Sequence, residues 1–188
     1  MKKLSSILAG SVLTLGMALG ADAATLKMAY DADPVSLDPH EQLSGGTLQL
    51  SHMVFDPLVR WTQELSFEPR LAEKWERVDE RTVRFTLRKG VKFHSGNMLT
   101  ANDVSWTFDR LKESADFKGI FAPFEAVNVI DTHTFELVTK EPYPLVLHTA
   151  TYLFPMDSLF YSGRDENGKP KDILVKHGNS YASSHVSG

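Results

Sequence analysis

TVRFTLRKGVKFHSGNMLTANDVSWTFDRL, residues 82–111, carries two periodicities on either side of one turn. In its first part Val83, Phe85 and Leu87 alternate with Arg84, Thr86 and Arg88. Successive side chains of an extended chain point to opposite faces, so this alternation predicts a half-buried strand. Val91-Lys92-Phe93 continues past Gly90, and His94-Ser95-Gly96-Asn97 turns the chain. From Thr100 the spacing changes: Val104, Phe108 and Leu111 recur at i, i+4 and i+7, the apolar stripe of a helix. Thr100 can accept a hydrogen bond from a first-turn N–H. Asp103 can reach back to the cap and favours the positive end of the helix dipole. That helix is expected to fade near Ser114. A strand with one apolar face feeding a helix with one apolar face predicts a mixed α/β or α+β domain.

The flanking segments extend this pattern. Asp79-Glu80-Arg81 reads as the turn before the strand, which makes Glu76–Val91 one arm of a hairpin. Leu71–Trp75 suits a short helix or the approach to a strand, and residues 61–70 read as a linker. Upstream, Leu50, Met53 and Val54 recur at helical spacing until Pro57 ends the helix near Asp56. The Asp-Pro pairs of DADPVSLDPH favour extended or turn backbone, and Thr25–Tyr30 alternates like a strand. Downstream, residues 115–126 form an aromatic loop broken by Gly119 and Pro123. Val127–Ile130 and Thr134–Thr139 are strands joined through Asp131-Thr132-His133. A helix is expected after Pro144, a polar loop over residues 162–172, and one more helix within 172–182.

The first 23 residues address the chain. Lys2 and Lys3 precede an uncharged apolar run from Ile7 to Leu19, and Ala21-Asp22-Ala23 offers small residues at a cleavage site. The run is shorter than the roughly 20 residues that span a bilayer. Residues 1–23 are therefore expected to be a signal peptide cut after Ala23, leaving 24–188 soluble in the periplasm. The formal net charge of −4 becomes one unit more negative when Lys2, Lys3 and Asp22 leave. An acidic chain argues against nucleic-acid or anionic-membrane partners. With no cysteine there is neither a disulfide nor a lipid-modified thiol.

Five stretches together carry a family resemblance: SLDPH (36–40), MVFDPLVRW (53–61), EPRLAEKWE (68–76), the opening segment (82–111) and THTFELVTKEPYPLVL (132–147). In order, spacing and residue type the chain resembles the family 5 extracellular solute-binding proteins, which include peptide, glutathione and nickel-complex binders. The resemblance implies a fold like that of type II periplasmic binding proteins. Members are considerably longer, with two lobes about a hinge. The chain is thus expected to be truncated, residues 24–188 forming an incomplete first lobe with open sheet edges. It implies a monomeric binding component of an ABC importer, which closes on a peptide or small-molecule ligand and delivers it to the permease/ATPase complex.

Three segments are candidates to line the ligand site. Ser44, Gly45, Gly46 and Thr47 lie just before a helix N-terminus, and small residues there admit a ligand to backbone N–H groups. Phe117 and Phe121 lie in the aromatic loop, whose equivalent in the resembling family supplies ring contacts. Tyr152 lies where the chain is expected to return toward the cleft. Asp38-Pro39-His40 is read as structural: a turn, with His40 satisfying a local hydrogen bond. Trp61, Trp75 and Trp106 are read as core residues. No catalytic residue, metal site or cofactor is expected. The seven histidines show no HExxH spacing, there is no GxSxG elbow, and Gly45-Gly46-Thr47 lacks the Gly-Lys-Ser/Thr of a phosphate loop. The alternatives are a peptide sensor or chaperone on the same fold, and a secreted hydrolase built from sequence-distant groups.

Overall fold

The computed structural model describes residues 34–174 and 177–188. The signal segment and the strand expected over Thr25–Tyr30 lie outside the described residues. In chain order the elements are α1 (Gly45–Val54), β1 (Val59–Trp61), β2 (Phe67–Pro69), β3 (Ala72–Arg77), β4 (Thr82–Leu87), α2 (Ala101–Glu113), α3 (Lys118–Phe121), β5 (Phe124–Asp131), β6 (Thr134–Thr139) and α4 (Val146–Ala150). A 3₁₀ turn follows at Tyr181–Ser183.

The alternating residues of β4 make it a central strand. The four-stranded sheet runs β3-β4-β6-β5, with every neighbour antiparallel. Val83, Phe85 and Leu87 all face inward and are buried, and Phe85 stacks on its cross-strand partner Phe135 at 5.3 Å between ring centres. Val104, Phe108 and Leu111 of α2 are buried in the same core. Each such aromatic ring contributes about 1.5–3 kcal/mol through removal from water. On the outer face Arg84 donates to Glu136 Oε1 from Nε (3.0 Å) and Nη2 (2.7 Å), and from Nη1 to Glu76.

The start of α2 keeps the expected reach-back: Asp103 Oδ2 accepts from Thr100 N (2.8 Å) and from Thr100 Oγ1 (2.7 Å). The Thr100 hydroxyl thus donates to the carboxylate. Asp103 Oδ1 also accepts from Ser158 N and Oγ, so one acid caps the helix and docks a distant loop.

Three segments differ from expectation. Residues 61–70, read as a linker, hold a hairpin in which Trp61 pairs with Phe67 and Arg60 with Glu68. Thr62 supplies the turn's bonds, its Oγ1 accepting from Glu64 N and Ser66 N. In the aromatic loop, α3 forms and β5 begins at Phe124, because Phe121 and Phe124 are drawn into the core against Phe108. The expected helix over 172–182 is absent from the described residues there. The 3₁₀ turn stands in its place, since the serine hydroxyls bind carboxylates of the body instead of leaving the backbone to bond itself.

Those bonds make residues 177–188 a strap. Asp157, buried, accepts from Ser95 Oγ, from Asn97 Nδ2 (2.9 Å), from Phe160 N (3.0 Å) and from Ser187 Oγ (3.2 Å). Tyr161 donates to His185 O and accepts from Ser187 N. The two borders of the sheet differ. Both carry register irregularities, but β3 presents Glu73, Lys74, Glu76 and Arg77, whereas β5 shows no charge between Ala126 and Ile130 and exposes Val129 and Ile130.

Candidate functional site

The segment entering α1 has little regular structure of its own, so its side-chain bonds decide where the helix starts. Ser36 Oγ accepts from Asp38 N, and Asp38 Oδ1 accepts from His40 N, closing the Asp-Pro-His turn. Arg110 of α2 then donates two parallel bonds to Asp38: Nη1 to Oδ1 at 2.8 Å and Nη2 to Oδ2 at 2.5 Å. The pair is sealed from water, with side-chain exposures of 4% and 0%. Ser180 Oγ adds a third bond to Asp38, at 2.8 Å. Burial alone pushes the Asp38 carboxyl up, but the Arg110 bonds and charge outweigh it and hold the group below its ordinary value.

The same guanidinium fixes the tautomer of His40. Arg110 Nη1 lies 3.0 Å from His40 Nδ1, and a guanidinium only donates, so Nδ1 is the acceptor. Nε2 therefore carries the hydrogen and donates to Phe154 O at 3.2 Å. Burial, reinforced by the Arg110 charge, lowers the imidazole to about 3, and the ring stays neutral. The structural role and the turn at Asp38-Pro39 are as expected, but the His40 ring finds its partners 70 and 114 residues away instead of locally. Beyond the turn, His40 O accepts from Ser114 Oγ (2.7 Å), which in turn accepts from Phe117 N (3.1 Å). Leu43 N donates to Asp116 Oδ2. Residues 40–43 thus hang from the end of α2.

Ser44 caps α1, its Oγ accepting from Thr47 N and donating to Thr47 Oγ1, which donates on to Gln42 Oε1. Thr47 is buried by this chain. Gly45 and Gly46 are exposed, and no atom lies within 4 Å of where a β-carbon would stand on either. The first N–H groups of a helix lack partners within it, so these two glycines leave an open approach to backbone donors. Further along α1, His52 sets its ring against Phe154 at 4.9 Å.

The other expected wall residues divide. Phe117 and Phe121 are 0% and 1% exposed: Phe117 packs edge-on to His40, and Phe121 packs against Phe108 and Phe124. Their rings face the core and offer no open surface to a solute. Tyr152 is half-buried at the end of a row of rings, 5.6 Å from His148, which is 5.8 Å from Trp61, which is 4.1 Å from Phe67. Trp61, expected in the core, is 38% exposed in this row. Trp75 and Trp106 are partly buried against hydrophobic clusters. Of the row, the sequence pointed only to Tyr152, because Phe67, Trp61 and His148 lie on β2, β1 and α4, far apart in the chain. Among the described residues no group of three His, Cys, Asp or Glu side chains could hold a metal ion. The surface offers the open glycines at the start of α1 and the row of rings ending at Tyr152.

The family model described as bacterial extracellular solute-binding proteins, family 5 middle region, matches residues 66–177, more than half of the chain. The chain belongs to that family. This family 5 protein is 28% identical over 179 residues to the periplasmic oligopeptide-binding protein OppA of Salmonella typhimurium, covering 82% of the chain and 33% of OppA. It is 31% identical over 157 residues to the dipeptide-binding protein of Escherichia coli, covering 70% of the chain and 29% of that protein. Its fold superposes on the E. coli murein tripeptide-binding protein MppA with a TM-score of 0.63 and 23% identity, covering 74% of the chain and 32% of MppA. The mixed α/β architecture is that of type II periplasmic binding proteins. The family 5 chain spans about a third of the length of these relatives.

Proposed function

We propose that the chain is the N-terminal part of the first lobe of a periplasmic substrate-binding component of an ABC importer. It takes a peptide or peptide-like solute between two lobes and hands it to a membrane permease. The observation that carries this reading is family membership together with relatives named for oligopeptide and dipeptide binding. The open glycines at the start of α1 support it. Backbone donors there suit the carbonyl or carboxylate oxygens of a peptide, and the absence of a β-carbon admits them. Tyr152 and its neighbouring rings are the second surface we assign to the solute. Phe117 and Phe121 act behind it, as packing. The output of such a protein is affinity and a closed shape, with no covalent step.

The test is a thermal-shift screen of the full-length protein against di- and tripeptides, followed by Gly46→Leu. Peptides are expected to raise the melting temperature by mass action. Gly46→Leu is expected to abolish that rise while leaving the ligand-free transition in place, because the position opens to solvent. A screen in which no peptide shifts the transition, or one in which peptide is hydrolysed, refutes the reading.

A further inference from the structure

We propose that Arg110 is a positioning residue for solute binding: it touches no solute, yet it fixes the place from which α1 starts. The inference rests on the solute-binding reading above. Arg110 is the buried basic residue of α2, and its guanidinium reaches the entering segment at two residues and the chain again at Asp172. It grips Asp38 with two bonds, offers Nη1 to His40 Nδ1, and donates Nε to Asp172 O at 3.0 Å. Asp38 passes the grip on through Ser180, and nearby Glu41 accepts from Gly178 N (2.8 Å) and Ser183 Oγ (3.3 Å). The entering segment, α2 and the strap are thus bound around one cation. None of the three holds the others through a sheet.

That arrangement separates two duties. The sheet and α2 form the apolar core without help from Arg110. Residues 36–43 have no such core of their own and are held by bonds: Asp38 and His40 to Arg110, His40 O to Ser114, Leu43 N to Asp116, and Leu37 N and Glu41 to the strap. Of these the Arg110 grip on Asp38 is the one that is charged at both ends and sealed from water. A planar two-pronged donor sets both distance and orientation of the carboxylate, and an ammonium at the same place sets only distance. Loosening this grip lets the segment, and with it Ser44 to Thr47, drift relative to the rest of the solute face. A merely structural role predicts a lower melting temperature and unchanged affinity in the folded protein. A positioning role predicts weaker affinity at temperatures where the variant is fully folded.

The test uses full-length protein with Arg110→Lys and, as a milder cut that spares the charge pair, Ser114→Ala. Two measurements are made well below melting: calorimetric affinity for trialanine, and amide hydrogen exchange without ligand. Arg110→Lys is expected to weaken trialanine binding on the order of ten-fold, the scale on which residues remote from a ligand modulate affinity. Exchange is expected to quicken across residues 40–48 and to stay unchanged in β4 and β6. Ser114→Ala is expected to move both in the same direction by less, and it decides alone if Arg110→Lys does not fold. Unchanged affinity in the folded variants overturns the proposal, whatever the exchange at residues 40–48. Wild-type protein that takes up no trialanine overturns the solute reading instead, and the exchange pattern then decides the positioning by itself.

Discussion

Neutralising Asp38 is expected to cost the fold far more than a hydrogen bond. Asp38→Asn keeps the shape of the side chain and an acceptor for His40 N. It leaves the Arg110 guanidinium, 4% exposed, without a counter-charge in a site closed to water. Breaking a buried pair in this way costs about 3–5 kcal/mol, against about 1 kcal/mol for an ordinary neutral bond. Arg110→Met strands the carboxylate instead. The cost there is expected near the lower end of that range, because Ser180 Oγ and His40 N still bond to Asp38. The double variant Asp38→Asn/Arg110→Met removes both charges, so its cost is expected to fall short of the summed single costs by at least about 2 kcal/mol. Urea unfolding followed by circular dichroism near neutral pH, extrapolated linearly to water, gives the four stabilities. Single costs that add to within about 0.5 kcal/mol would refute the idea that the two groups act as a buried charge pair.

Acid is expected to act through His40. Its imidazole titrates at 6.5 when unfolded and at about 3 in the folded chain, so below 6.5 only the unfolded state takes the proton. The folded state is fully favoured above 6.5 and loses roughly tenfold in its equilibrium constant per pH unit down to about 3. His40→Gln, which can accept from Arg110 and donate to Phe154 O, is expected to flatten the dependence of urea midpoint on pH; a slope identical to wild type rejects the assignment. Phe85→Ala, in the middle of the sheet and stacked on Phe135, is expected to lose about 3–5 kcal/mol, read as a lowered urea midpoint. Gly178→Ala places a β-carbon 2.7 Å from Val35 O at a backbone φ of +71°, so it is expected to cost more than about 1 kcal/mol. Protease nicking within the strap reports it, and wild-type resistance in the variant counts against the strap geometry.

Local signals were readable wherever one element satisfies itself. The alternation at Val83, Phe85 and Leu87, the start at Thr100 with Asp103, and the strand pair around Asp131–His133 each rest on neighbours a few residues apart, and each appears in the fold. That a helix follows Ser44 was legible too, although α1 takes in Gly45 to Thr47, which were expected just before it. What escaped depends on distance along the chain. Phe117 and Phe121 look like loop aromatics until α2 and β5 close over them, because burial is decided by elements their own spacing does not mention. The Asp38–Arg110–Ser180 grip joins residues 72 and 142 positions apart, and nothing in SLDPH or TFDRL announces the partner. The strap is the same case: its serines resemble a weak helix in isolation and bind buried acids in the fold.

The unequal borders of the sheet matter to anyone concentrating this protein. On one side, alternating acid and base repel a stacking neighbour. On the other, an uncharged run ending in Val129 and Ile130 has no charge to deter a drifting strand, only the irregular register near Val129. Solubility is therefore expected to be limited at the border formed by residues 126–130, and Val129→Lys is expected to raise yield without touching Gly45, Gly46 or Tyr152.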